Sequence, residues 1–179
     1  YRFLLPGEMR DKKNLEIKNI RKLVENEYVS KIYQDAENAI IKSWARNSGL
    51  IRRINQKMSD SFVLGTINII LTKYGTQGSY MLPNSIIINI SNIPVEFLIK
   101  TVIHESFHLM IEPLIKKYSV EHWAKERLVD LIMDFEYKSR FKMQKVPEWT
   151  LPVDNVFKEH YPDIVSIMKM IAKISPNTN

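Results

Sequence analysis

The chain has 179 residues, 45% of them hydrophobic and 26% charged, which is enough apolar mass for one packed domain and excludes a disordered tail. It has no cysteine, so disulfide scaffolds, thiolate clusters and cysteine nucleophiles are excluded, and any metal must be held by His, Asp or Glu. The net charge of +6 is concentrated in residues 1–60, where 13 Lys/Arg face 8 Asp/Glu at mixed helical spacing; this reads as a solvated basic face, and no nucleic-acid partner is expected. No apolar run approaches the ~20 residues of a membrane span. The chain opens on Tyr1 and not on Met, which reads as a fragment or a processed product.

From Asp11 to Trp44 the pattern is helical, in one helix or two, with Leu15, Ile20, Leu23, Val24, Tyr28, Ile32, Ala36, Ala39 and Ile40 near one face. Asn47-Ser48-Gly49 is a stop signal, and Leu50, Ile51, Ile54 and Met58 predict a short further helix. From Phe62 the period becomes two, and Ile67 to Thr72 fits a strand. Gly75 and Gly78 turn the chain, Tyr80 to Leu82 makes a second short strand, and Pro83-Asn84 turns it again. Ser85 to Ser91 is the clearest strand, with Ile86, Ile88 and Ile90 on one face. Asn92-Ile93-Pro94 opens a long helix to about Lys117, which Pro113 is predicted to kink or end early. Ser119 suits the cap of another long helix, running to about Met143 with Leu128, Leu131, Ile132 and Phe135 as its buried stripe. Pro147 and Pro152 mark a loop, and Asp163 to Lys173 a last short helix. Helices, three short strands and helices again make an α+β fold.

The fourth element carries His104-Glu105-Ser106-Phe107-His108. Two His at i and i+4 project from one helix face and can grip a single ion, and the Glu between them suits a base acting on water beside that ion. A third protein ligand is needed. The metzincin pattern would require His where Leu114 stands and Gly where Ile111 stands, so it fails. The next helix instead has His122, Glu126, Asp130 and Asp134 at i, i+4 spacing. Glu126 follows His108 by 18 residues, the length of a helix end, a tight turn and a returning helix. Asp130, one turn on, can accept the free N–H of a metal-bound His and fix its tautomer.

In His104-Glu105-x-x-His108 followed by Glu126-x-x-x-Asp130, the sequence resembles the gluzincins, the thermolysin-like branch of zinc metallopeptidases, with Lys125 where that family places Asn. The resemblance covers about residues 67–134 and extends to the compact minigluzincins. It implies a zincin-like fold: a small mixed sheet with an edge strand, assigned to Ser85–Ser91, over the HExxH helix and a following Glu-bearing helix. The chain separately reads as an N-terminal helical region over 1–60 packed on a metallopeptidase domain over 61–179, although the resemblance itself covers neither residues 1–60 nor residues 145–179. The resemblance also implies Zn²⁺ on His104, His108 and Glu126, Glu105 as general base, Asp130 behind a ligand His, and peptide or protein substrates. An oxyanion-stabilising residue belongs to such a site, and Tyr118 stands where the family's Tyr occurs, with His122, His160 and Tyr161 as alternatives. Trp44, Trp123 and Trp149 read as core or loop-pinning aromatics. The segment after Lys145 is expected to pack near the site, completing or blocking it. The same residues are compatible with a latent zincin-fold protein, an interaction module using its basic helices, or a hydrolase of non-peptide bonds.

Overall fold

The computed structural model describes residues 17–58, 65–91, 94, 97–137 and 143–176. The expected helical start at Asp11, the strand pattern from Phe62 and the helix opening at Asn92-Ile93 fall on or begin at residues outside these ranges. The fold is α+β. Helices α1 (Ile17–Glu27) and α2 (Ser30–Met58) precede strands β1 (Asn68–Thr72), β2 (Gly78–Met81) and β3 (Ser85–Asn89). Helices α3 (Leu98–Tyr118), α4 (His122–Tyr137), α5 (Pro152–His160) and α6 (Ile164–Ile171) follow, with a 3-10 turn at Glu148–Thr150. No helix among the described residues is long and apolar enough to cross a membrane.

The expected stop at Asn47-Ser48-Gly49 does not occur, because α2 runs through it. Ile51 and Ile54 continue the buried stripe begun by Ala36 and Ile40, so tertiary burial outweighs the roughly 1 kcal/mol cost of a glycine in a helix. The N-terminal part of that stripe is not core: Val24, Tyr28 and Ile32 are exposed. Here Lys73 donates to the Glu27 carbonyl at 2.9 Å, and the Tyr74 hydroxyl donates to the Glu27 carboxylate, tying the end of α1 to the loop after β1.

The sheet order is β1-β3-β2, with β1 parallel and β2 antiparallel to β3. This corrects one expectation. Ser85–Ser91 holds the centre of the sheet, and β2 is the edge strand beside α3. The reason is burial: a strand whose Ile86 and Ile88 are wholly buried gains from a neighbour on each side, whereas Gly78-Ser79-Tyr80-Met81 is short and partly open. The register sets Gly78 opposite Ile88 and Tyr80 opposite Ile86, so these four share one face.

Helix α3 starts at Leu98, later than expected, and is buried over most of its length from Leu98 to Ile111, as suits a helix packed by the sheet, α2, α4 and α6. Pro113 neither ends it nor divides it; that residue is exposed, and the buried Met110, Ile111 and Ile115 hold the helix on either side. Ser119 closes α3 and does not open α4. It adopts the left-handed conformation (φ 54°), and the Val120 N–H reaches back to the Ile115 carbonyl at 3.1 Å. The chain reverses there within three residues and enters α4 at His122, so the two helices run back along each other.

In α4, Leu128, Leu131 and Ile132 are buried as expected, but Phe135 is 60% exposed, edge-on to Phe157 and Tyr161. The segment expected as a loop around Pro152 contains α5, with Pro152 in its first turn, where a missing N–H costs nothing. Helix α6 buries Ile164, Ile167, Met168 and Ile171 at i, i+3, i+4 and i+7, and Asp163 caps it by accepting from the Ser166 N–H at 3.0 Å.

Candidate metal centre

His104, Glu105 and His108 lie mid-helix in α3, and Glu126 lies one turn into α4. The reversal at Ser119 therefore brings the Glu126 side chain back level with the two imidazoles. The three ligating atoms converge: His104 Nε2 to Glu126 Oε2 is 3.2 Å, His108 Nε2 to Glu126 Oε2 is 3.3 Å, and the two Nε2 atoms are 2.9 Å apart. Among the described residues this is the one group of His, Asp and Glu side chains arranged to hold a metal ion. All three are largely buried, with side-chain exposure of 12% for His104, 2% for His108 and 12% for Glu126.

The electrostatics suit a cation. Burial pushes the His108 imidazole down to about 4, against the opposing pull of its hydrogen bond to Glu126, so it stays neutral. Burial alone would raise the Glu126 carboxyl, but its hydrogen bonds with His104 and His108 outweigh that and hold it well below the usual carboxylate range. Neutral imidazole and ionised carboxylate are the forms that bind metal.

Glu105 is buried at 7% exposure on the same cleft. Burial pushes its carboxyl up to about 7; the His104 imidazole pulls it down, and the Glu126 carboxylate pushes it up. A carboxyl near neutrality takes and returns protons readily. Its place is set by Gly78: a Cβ there would stand 2.4 Å from Thr101 Cγ2 and 2.7 Å from Glu105 Oε1. Only a residue without a side chain lets β2 approach α3 this closely. Gly78→Ala is therefore expected to lose about 1–3 kcal/mol of stability by overpacking, read as a lower denaturant midpoint at unchanged slope. A midpoint equal to wild type would show that β2 can move aside freely.

Asp130 is 4% exposed and stands behind His104, with Oδ1 3.7 Å from His104 Nδ1, within ion-pair reach but beyond a hydrogen bond. Its other oxygen accepts the backbone N–H of Gln144 at 2.6 Å. His108 Nδ1 is buried without a hydrogen-bond partner. The Tyr80 ring orients this imidazole instead, stacked on it at 5.2 Å and 13°. The Tyr80 hydroxyl donates to Glu112 at 2.6 Å and accepts from Lys125 Nζ at 3.2 Å.

These groups line a cleft of about 900 Å³ bounded by β2, α3, the start of α4 and Gln144. Of the four residues considered for an oxyanion role, His122 alone lines it, with Nδ1 3.8 Å from Glu126 Oε1 and its ring against Trp123. Tyr118 does not; ten residues beyond His108 in α3, it lies ~15 Å along the helix at about 1.5 Å per residue, half-buried against the core. His160 sits beside Glu159, and the Tyr161 hydroxyl donates to Glu136 at 2.7 Å, both away from the cleft. Trp123 lines the cleft and is not a core residue, whereas Trp44 and Trp149 pack on the core.

Described residues beyond 144 do not line the cleft either, which corrects the expectation that the C-terminal segment covers it: α5 packs on α4 and α6 on α3. Tyr80, Lys125 and Gln144 were missed as site residues. The signal for Tyr80 was the strand period, which sets it on the face of Gly78. Gln144 had none, being placed by a tertiary contact. Compared with known proteins, the chain matches no family model, no curated protein and no solved structure.

Proposed function

We propose that the protein is a zinc-dependent peptidase of zincin-like architecture. The observation that carries the reading is the convergence of His104 Nε2, His108 Nε2 and Glu126 Oε2 within 2.9–3.3 Å of one another, with the buried Glu105 carboxyl on the same cleft. Two His and one Glu are a donor set that zinc accepts, and tetrahedral bonds of about 2.0–2.1 Å would separate the ligand atoms by roughly 3.3 Å. The residues fit the ion. His104, His108 and Glu126 would hold the ion, whose chemistry there would be that of a Lewis acid able to lower the pKa of a neighbouring water toward ~7.

The other roles belong to this chain's own groups. Glu105 accepts the proton of the water that attacks the scissile carbonyl, then delivers it to the departing amine. The outer edge of β2, unpaired within the described sheet, offers backbone hydrogen bonds to an extended peptide. Lys125 and His122 stand 3.6 and 3.8 Å from Glu126 Oε1, and their N–H groups serve the carbonyl oxygen as its charge develops. Tyr80 keeps the His108 ring in plane.

Metal analysis joined to an unstructured peptide substrate tests the reading. The protein is expected to take up one zinc per chain, to cleave the peptide, to lose both on chelation and to regain both with added zinc. His104→Ala/His108→Ala is expected to bind none. A wild-type protein that stays metal-free after dialysis against zinc near neutral pH would sink the proposal.

A further inference from the structure

Gln144 touches the ligand atoms themselves. Its side-chain Nε2 is 3.3 Å from Glu126 Oε2 and 3.5 Å from His104 Nε2, the atoms that would hold the ion. Its backbone is fixed with equal care: the Gln144 N–H donates to Asp130 Oδ2 at 2.6 Å, and Asp130 is the carboxylate behind His104. One residue back, Met143 Sδ accepts from Arg127 Nη1 at 3.3 Å, and Arg127 is itself held in a fork by Asp154 at 2.7 and 2.5 Å. Two anchors on α4 thus place one exposed side chain on the metal cluster.

The chemistry of that side chain is apt. A carboxamide carries two N–H donors on one side and an acceptor oxygen on the other. Facing a bare carboxylate it donates, as it does here to Glu126. Facing a cation it needs only a half-turn of the planar amide to present oxygen, with no change in the backbone that Asp130 holds. Lysine or arginine in this place could do only the first. Because Gln144 is exposed, polar contacts hold its amide in place and no core packing does, so an incoming ligand can displace it.

We propose that Gln144 is a fourth protein ligand of the resting metal site, so that the site is closed until a substrate carbonyl or water displaces the amide oxygen. The inference rests on the zinc-site reading above and adds to it how access to the ion is controlled.

The test compares wild type, Gln144→Ala and Gln144→Glu, loaded with zinc for affinity and with Co²⁺ for spectroscopy. By competition with a chelator, Gln144→Ala is expected to bind zinc about tenfold or more weakly, as for losses of groups that touch metal ligands. Gln144→Glu, which supplies an oxygen of the same reach, is expected to bind at least as tightly as wild type. The visible spectrum of the Co²⁺ protein separates a filled position from one holding water. Wild type is expected to show little change from about pH 6 to about pH 9, whereas Gln144→Ala is expected to titrate as its bound water ionises. Acetohydroxamate is expected to bind the alanine variant more tightly than wild type.

Equal zinc affinity, equal Co²⁺ spectra at every pH and equal hydroxamate affinity in wild type and Gln144→Ala would overturn the role of Gln144 while leaving the zinc site intact. If neither protein binds zinc or Co²⁺, the metal site itself fails and the inference falls with it.

Discussion

Glu126→Ala is expected to lose most zinc binding, whereas Asp130→Ala is expected to keep one zinc per chain at saturating metal with affinity lower by roughly 10–100-fold. Both acids lie on one face of α4, one turn apart, and charge alone does not rank them. Distance does. Glu126 Oε2 lies 3.2 and 3.3 Å from the two imidazole Nε2 atoms, so removing it takes away one vertex of the donor triangle. Asp130 reaches only the far nitrogen of His104, at 3.7 Å, and holds the Gln144 backbone with its second oxygen. Its loss loosens one imidazole and frees Gln144 but leaves all three donors in place. Competition of each variant with a chelator of known affinity reads the contrast directly. The opposite order, with Asp130→Ala metal-free and Glu126→Ala like wild type, would show that the donor triangle is not the binding site.

Glu105→Gln is expected to retain zinc, fold as wild type and lose peptide hydrolysis by roughly 10²–10⁴. The substitution preserves volume and hydrogen-bonding reach in a buried position against Gly78, where a larger change would disturb β2. What it removes is a carboxylate that can accept a proton. Because Glu105 is not part of the donor triangle, metal content serves as the internal control. Turnover in the variant equal to wild type would place the base elsewhere on the cleft.

Much of this site is legible in the sequence, for a local reason. His104 and His108 share a helix face because the α-helix repeats every 3.6 residues, and the period lies within one element. The separation of Glu126 from His108 could be read as a helix, a turn and a return because the reversal at Ser119 is short. The buried faces of β3 and α6 follow from their own periodicity in the same way. Where one element's burial outweighed a local signal, the local signal misled. Gly49 does not stop α2, since Ile51 and Ile54 have a core to enter. Pro113 does not break α3, since the residues around it are packed.

The α+β class, the His-Glu-His face of α3 and the acidic partner returning on α4 can all be read along the chain, being properties of single elements and a short turn. Which strand lies at the cleft is set by packing between elements, because strand order depends on which strand gains more from two neighbours. The register that puts β2 on α3 brings Tyr80 to His108 and Gly78 to Glu105. Gln144 is carried to the ligands by Asp130, 14 residues away in sequence, and the far reach of α3 leaves Tyr118 off the cleft. Such contacts join residues distant in sequence, and no periodicity encodes them.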